Sequence, residues 1–269
     1  MNILKIGIVG TAGSLILSDM IEQSMKNYDS NVIPPIDTVS IIMPAYNEES
    51  FIETSILSIK SQSILKSYPE CFELILVDSN STDKTVGIAK QYVNKIIMSP
   101  RGKLTARNIA TSLSNGNIIV SVDADTYYPE HWLNTLLKPF IDSRYQNVVG
   151  TVGSTIDYSI PRLPKFIRNI TEVISKTMHP NRMLGRDSAY YKHAFYLTGR
   201  FNENINQFNI DEILQEEEIG FGSRLSKIGN VVLKMNASCI HLGGQKIACR
   251  RNMDSKDACA SYGIGKDRF

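Results

Sequence analysis

The chain has 269 residues, 42% hydrophobic and 21% charged, with a formal net charge of +2. That is enough apolar content for a sizeable core and rules out a disordered composition. The near-neutral balance removes any broad electrostatic reason to bind nucleic acid, so no nucleic-acid partner is expected. Four cysteines, Cys71, Cys239, Cys249 and Cys259, show neither C-x-x-C spacing nor the density of a disulfide scaffold, and they read as free thiols.

Residues 1–37 read as an apolar segment followed by a linker. The stretch from Ile6 to Leu17 is about a dozen residues, against the roughly 20 a bilayer span needs. A short buried or interfacial helix is therefore expected, with peripheral membrane contact through the N-terminus as the alternative. The run K-I-G-I-V-G-T-A-G starting at Lys5 resembles a dinucleotide-binding turn, but Gly10 is followed two places later by Ala12, so the G-x-G-x-x-G fingerprint fails.

From Thr38 strands alternate with helices. Val39 to Met43 is a buried strand ending at Pro44, and the turn Ala45-Tyr46-Asn47-Glu48 leads to a helix from about Glu49 to Gln62 with Ile52, Ile56 and Ile59 on one face. Asn47 is the expected cap. A second strand, Glu73 to Val77, ends in Asp78, and the polar turn Ser79 to Asp83 opens a helix over Lys84 to Tyr92. A third strand, Lys95 to Met98, is followed by Pro100-Arg101-Gly102 and a helix from about Leu104 to Leu113 carrying Arg107 and Asn108.

The fourth strand, Ile118 to Val122, has β-branched aliphatics at four of its five positions and runs directly into Asp123 and Asp125. Strand alternation predicts that these two carboxylates point the same way. Hard oxygen ligands at the carboxyl end of a central strand suit Mg²⁺ or Mn²⁺. An EF-hand loop starting at Asp123 is excluded, because Tyr127 and Tyr128 stand where an oxygen ligand and a glycine are required. The βαβαβαβ order predicts a mainly parallel, doubly wound, Rossmann-like sheet in three α/β/α layers. Beyond it, Val148 to Tyr158 reads as a strand, Pro164 to Met178 as a helix, and residues 246–269 as a locally basic tail.

Read together, V-S-I-I-M-P-A-Y-N-E-E at 39–49, L-V-D-S-N-S-T-D-K-T at 76–85, R-G-K-L-T-A-R-N at 101–108 and V-D-A-D at 122–125 resemble the successive motifs of family 2 glycosyltransferases. The resemblance continues through G-R-D-S-A-Y-Y-K at 185–192, T-G-R-F-N-E at 198–203, E-E-E-I-G-F-G-S-R-L at 216–225 and C-I-H-L-G at 239–243. It implies the A-type nucleotide-diphospho-sugar transferase fold. The catalytic domain would span 38–245, with a nucleotide-binding half to 125 and an acceptor half from 126. Gly185 to Lys192 would border the acceptor.

What the resemblance implies can be carried over by position. Pro44, Tyr46 and Glu48 match the first nucleotide-contacting turn. Asp78 matches the acid that reads the base, although Ser79 replaces the second acid usual there. Lys103 and Arg107 match residues on the nucleotide side. Asp123 tends toward the ribose and bridges to the metal, Asp125 is the firmer metal ligand, and His241 falls near the metal or diphosphate. The catalytic base comes from the run Glu216, Glu217, Glu218, with Glu218 preferred and Glu217 next; a Glu stands where the family has Asp, and Gly220 where an acid often follows.

The implied chemistry is a metal-dependent inverting transfer from a nucleoside-diphosphate sugar, UDP or GDP, to a hydroxyl of a glycan or lipid-linked acceptor. Such an in-line displacement needs one carboxylate base and a cation for the departing diphosphate. The Q-x-x-R-W signature of processive synthases is absent at Gln245, so a single-sugar transferase is expected. A non-catalytic nucleotide-sugar-binding module remains the alternative, as does a sugar nucleotidyltransferase, though Pro44-Ala45-Tyr46-Asn47 lacks the latter's Gly-rich turn. The sequon at Asn80 lies in the nucleotide loop, where a glycan would block the site, so a cytoplasmic location, or one on the cytoplasmic face of a membrane, is expected.

Overall fold

A computed structural model describes residues 38–157, 182–183, 185–205 and 210–242. The expected N-terminal apolar segment, the helix from Pro164 to Met178 and the basic tail lie outside the described residues.

One eight-stranded sheet runs through the molecule. Its strands are β1 (Val39–Ala45), β2 (Phe72–Asp78), β3 (Lys95–Met98), β4 (Ile118–Val122), β5 (Thr126–Tyr127), β6 (Val148–Asp157), β7 (Asp187–Tyr191) and β8 (Asn230–His241), in the spatial order β3-β2-β1-β4-β7-β6-β8-β5. The first half follows the expected pattern: β1 pairs in parallel with β2 and β4, and β2 with β3. Residues Ile118 to Val122 are all buried, as a strand covered on both faces must be.

The second half departs from the parallel expectation. Strand β7 runs antiparallel to both β4 and β6, and β5 runs antiparallel to β8, while β6 and β8 are parallel. The sheet is therefore mixed. The reason is topological: β7 inserts between β4 and β6 from the opposite end, so its pairs can form without crossover helices.

Each face of the sheet carries its own core. On one side, Val39, Ile41 and Met43 pack with Ile52, Ile56 and Ile59 of helix α1 (Ile52–Lys60) and with Trp132, Leu133 and Leu136 of the helix Trp132–Ile141. On the other, Ile42, Ile75 and Val77 meet Leu104, Ala106 and Ala110 of the helix Lys103–Leu113, together with Phe195, Phe201 and Phe221. The three-layer arrangement follows from this strand alternation. It leaves the carboxyl ends of β1, β2 and β4 open along one edge.

Candidate active site

Two turns at that edge are locked to each other. Asn47, with φ 54°, donates its N–H to Ser81 Oγ (2.9 Å) and accepts the Thr82 N–H at its side-chain oxygen (2.9 Å). The Glu48 N–H bonds Thr85 Oγ1 (2.8 Å), the Glu49 N–H bonds Asp83 Oδ2 (3.1 Å), and the Lys84 N–H returns to Glu49 Oε2 (3.0 Å). Asn80 also takes a left-handed conformation, φ 61°, which Asn tolerates better than most residues. Asn47 thus works as a clasp between turns, correcting its expected role as a helix cap; α1 starts later, with Phe51 before it and no side-chain cap.

The clasp shapes one wall of a cleft of about 310 Å³ lined by Pro44, Tyr46, Glu48, Ser79, Arg101, Lys103, Asp123 and Asp125, among others. Such a volume suits a small-molecule ligand. The Arg101 guanidinium lies 3.8 Å from the centre of the Tyr46 ring, a cation–π contact at the cleft wall. Gly102, with φ 141°, turns the chain so that Lys103 opens its helix at the cleft.

Asp123 and Asp125, expected to point the same way, both line this cleft but meet different partners. The strand stops at Val122, and the Asp123 N–H donates to Tyr128 Oη (2.9 Å), so the following residues turn instead of alternating. Asp123 receives Arg107 Nη2 at 2.6 Å and Lys103 Nζ at 3.2 Å, with Arg186 Nε at 3.8 Å. Burial would push its carboxyl up, but Lys103, Arg107 and Arg186 outweigh that and hold it below the ordinary carboxylate range.

Asp125 meets a different partner. Its Oδ2 lies 3.1 Å from His241 Nε2. The approach is built by the backbone: Thr126 pairs with His241 across β5 and β8, and the Leu242 N–H bonds the Asp125 carbonyl at 2.8 Å. Among the described residues no group of three or more His, Cys, Asp or Glu converges as a metal cluster.

The acidic run at 216–218 lies in a π-helical segment, Gln215–Gly220, an irregularity frequent at functional sites. Glu217 is 2% exposed and salt-bridged to Arg107 Nε, with Lys103 Nζ 3.4 Å away. Burial raises its pKa, but Arg107 and Lys103 lower it further, and it is held in the ionised form. Arg107 is fully buried and also donates to Ser121 Oγ (2.5 Å). Glu216 bonds Arg224 Nη2 (2.5 Å) and accepts the Asn202 N–H (2.9 Å), while Arg224 holds the carbonyls of Thr198 and Arg200. The side chain of Glu218 lies outside the described set.

The structure brings Pro44, Tyr46, Glu48, Lys103, Asp123 and Asp125 to one cleft, with His241 beside Asp125. Arg107, expected on the nucleotide side, instead lies beneath the floor as a buried tie between Glu217 and Asp123. Asp78, expected to read a base, is completely buried, and its two oxygens accept from Ser81 N (2.8 Å) and Ser81 Oγ (2.5 Å). Ser79 lines the cleft in its place. Arg101 and Arg186 were not singled out from sequence; their only signal was a basic residue within a quoted motif.

The model of glycosyl transferase family 2 matches residues 40–201. A hyaluronan synthase of Pasteurella multocida is 27% identical over 87% of this chain and 25% of its own length, and a chondroitin synthase of the same species is 28% identical over 78% and 22%. The chain thus spans about a quarter of the length of these curated relatives. In fold it is similar to a mannosyltransferase of Pyrobaculum calidifontis solved with GDP-Man and Mn²⁺, with a TM-score of 0.60 at 19% identity over 89% of this chain and 69% of that one. The TarS 1–349 structure from S. aureus gives 0.57 at 17% identity over 78% and 62%. Among the described residues no helix is long and apolar enough to cross a membrane.

Proposed function

The chain belongs to glycosyl transferase family 2, and from that premise we propose that it moves one sugar from a nucleoside-diphosphate donor to an acceptor hydroxyl with inversion, using a divalent cation. The observation that carries this reading is the approach of Asp125 to His241 at 3.1 Å beside a cleft that also presents Lys103 and Tyr46. Two ligand atoms in adjacent positions on an octahedral Mg²⁺ at its usual bond length of about 2.1 Å stand about 3 Å apart, so the spacing fits. A carboxylate and an imidazole also fit Mn²⁺, and the P. calidifontis mannosyltransferase binds that ion. Asp123, already held by cations, is assigned to orienting the donor and not to the metal.

A divalent ion bound there would stabilise charge on the departing diphosphate. Lys103 adds an ammonium on the same side, and the Tyr46 ring offers an apolar face to the base. Glu218 is the proposed base: Glu216 is bound to Arg224 and Asn202, and Glu217 is buried against Arg107, so neither carboxylate is available to an acceptor hydroxyl. Glu218 would take the hydroxyl proton on the face opposite the leaving group. Acceptors of the glycan or lipid-linked class and a UDP or GDP donor belong to the same proposal, supported by similarity to a hyaluronan synthase, a chondroitin synthase and a poly(ribitol-phosphate) β-N-acetylglucosaminyltransferase.

Release of nucleoside diphosphate from a panel of UDP- and GDP-sugars in Mn²⁺ tests this. Glu218→Gln is expected to lower turnover about 10²–10⁴-fold with donor affinity nearly unchanged. Normal turnover in that variant would sink the base assignment.

A further inference from the structure

Arg186 is a charged group at this edge that the reading above leaves without work. It precedes β7, whose Asp187 is registered against Val122, so it stands on the β7 side of Asp123, while the cleft residues lie at or beyond the ends of β1, β2 and β4 or in the turn leading into Lys103. Its carbonyl is fixed by the Tyr128 hydroxyl (2.9 Å), the same hydroxyl that receives the Asp123 N–H. The Arg186 backbone is therefore tied to the acid turn by two linked hydrogen bonds.

Lys103, Arg107 and Arg186 share the field of Asp123 and Glu217, and Asp125 also acts on Arg186. Asp123 already accepts Arg107 at Oδ1 (2.6 Å) and Lys103 at Oδ2 (3.2 Å), leaving Arg186 at 3.8 Å, beyond hydrogen-bond reach. The Arg186 side chain is only 23% exposed, and among the described residues its five N–H groups donate no hydrogen bond. Its nitrogens reach solvent beside Asp123, so the planar fork is open to an oxyanion.

Building on the donor reading above, we propose that Arg186 is a substrate-binding residue that takes an oxyanion at the β7 side of Asp123, bordering the cleft. A carboxylate on an acidic, uronate-type sugar and the β-phosphate of the donor both offer that chemistry. Asp123 then stands between the two cations, with Lys103 on one side and Arg186 on the other.

Calorimetric titration in Mn²⁺ with the bare nucleoside diphosphate, a neutral nucleotide-hexose and the matching nucleotide-hexuronate tests the assignment on wild type, Arg186→Ala and Arg186→Lys. Arg186→Ala is expected to weaken at least one ligand about 10-fold or more, with Arg186→Lys recovering only part because the fork is lost. A loss confined to the hexuronate identifies the sugar carboxylate; a loss shared by all three ligands identifies the β-phosphate. Unchanged melting of the lysine variant, which keeps the charge beside Asp123, separates binding from folding. Affinities within about twofold of wild type for all three ligands in both variants would overturn the proposal. Wild type binding none of them would overturn the donor reading itself, and this assignment with it.

Discussion

Asp123 and Asp125 sit two residues apart and meet different partners because the strand ends at Val122, before either of them. Asp123 and Glu217 are ionised ends of a buried network through Arg107, and removing one end leaves the other side uncompensated. Glu217→Gln is expected to cost about 3–5 kcal/mol at neutral pH, read by urea unfolding. Both carboxyls are depressed in the fold, so their contribution is fully present above the unfolded range near pH 4 and is lost as pH falls through the lower folded values. The gap between wild type and Glu217→Gln should therefore narrow from pH 7 to pH 3; a constant gap would mean that the ion pairs carry none of it. Sequence exposed the acids but not their partners: nothing in E-E-E says which glutamate faces a buried arginine, because that depends on a π-helical segment that residue spacing does not reveal.

At the level of elements, the turn clasp and two glycines do the positioning. Asn47 and Asp83 hold turns that are 34 and 35 residues apart in the chain. Asn47→Ala is expected to reduce nucleotide affinity about tenfold through lost preorganisation, while costing only about 1 kcal/mol of stability, since the clasp is largely solvent-facing. Titration of nucleoside diphosphate alongside a thermal melt separates the two effects; equal losses in both would make the clasp merely structural. Gly185 is tied to the network, because a Cβ there would overlap the Glu217 carboxylate. Gly185→Ala should lower the melting temperature by several degrees, as expected for about 1–3 kcal/mol of overpacking, and a neutral melt would show that Glu217 can shift. The strands were legible from apolar runs and their terminal acids. Helix ends were less so: the helix expected over Lys84 to Tyr92 spans only Thr85–Ala89, where the Asp83 carboxylate caps the Thr85 N–H and Gly87 weakens propagation.

Over the whole molecule the sheet divides the labour. The parallel half, β3-β2-β1-β4, is built from the first four strands of the chain, each joined to the next by a helical segment, and that alternation of strand and helix revealed it. The mixed half places β7 between β4 and β6 and carries β8 back to β5, pairing distant residues such as Val122 with Asp187 and Thr126 with His241. No local pattern encodes those partners, yet they deliver His241 to Asp125 and Arg186 to Asp123. The family motifs located the residues that meet, and the antiparallel insertion explains how they meet.

The central claim is that Asp125 and His241 hold a cation against a nucleoside diphosphate. A thermal-shift titration of UDP and GDP, with and without Mn²⁺, on wild type and Asp125→Ala measures it most directly. The account predicts a Mn²⁺-dependent rise in melting temperature with one of the two nucleotides, lost in Asp125→Ala. A shift of equal size in the variant, or none in wild type with either nucleotide, would contradict it.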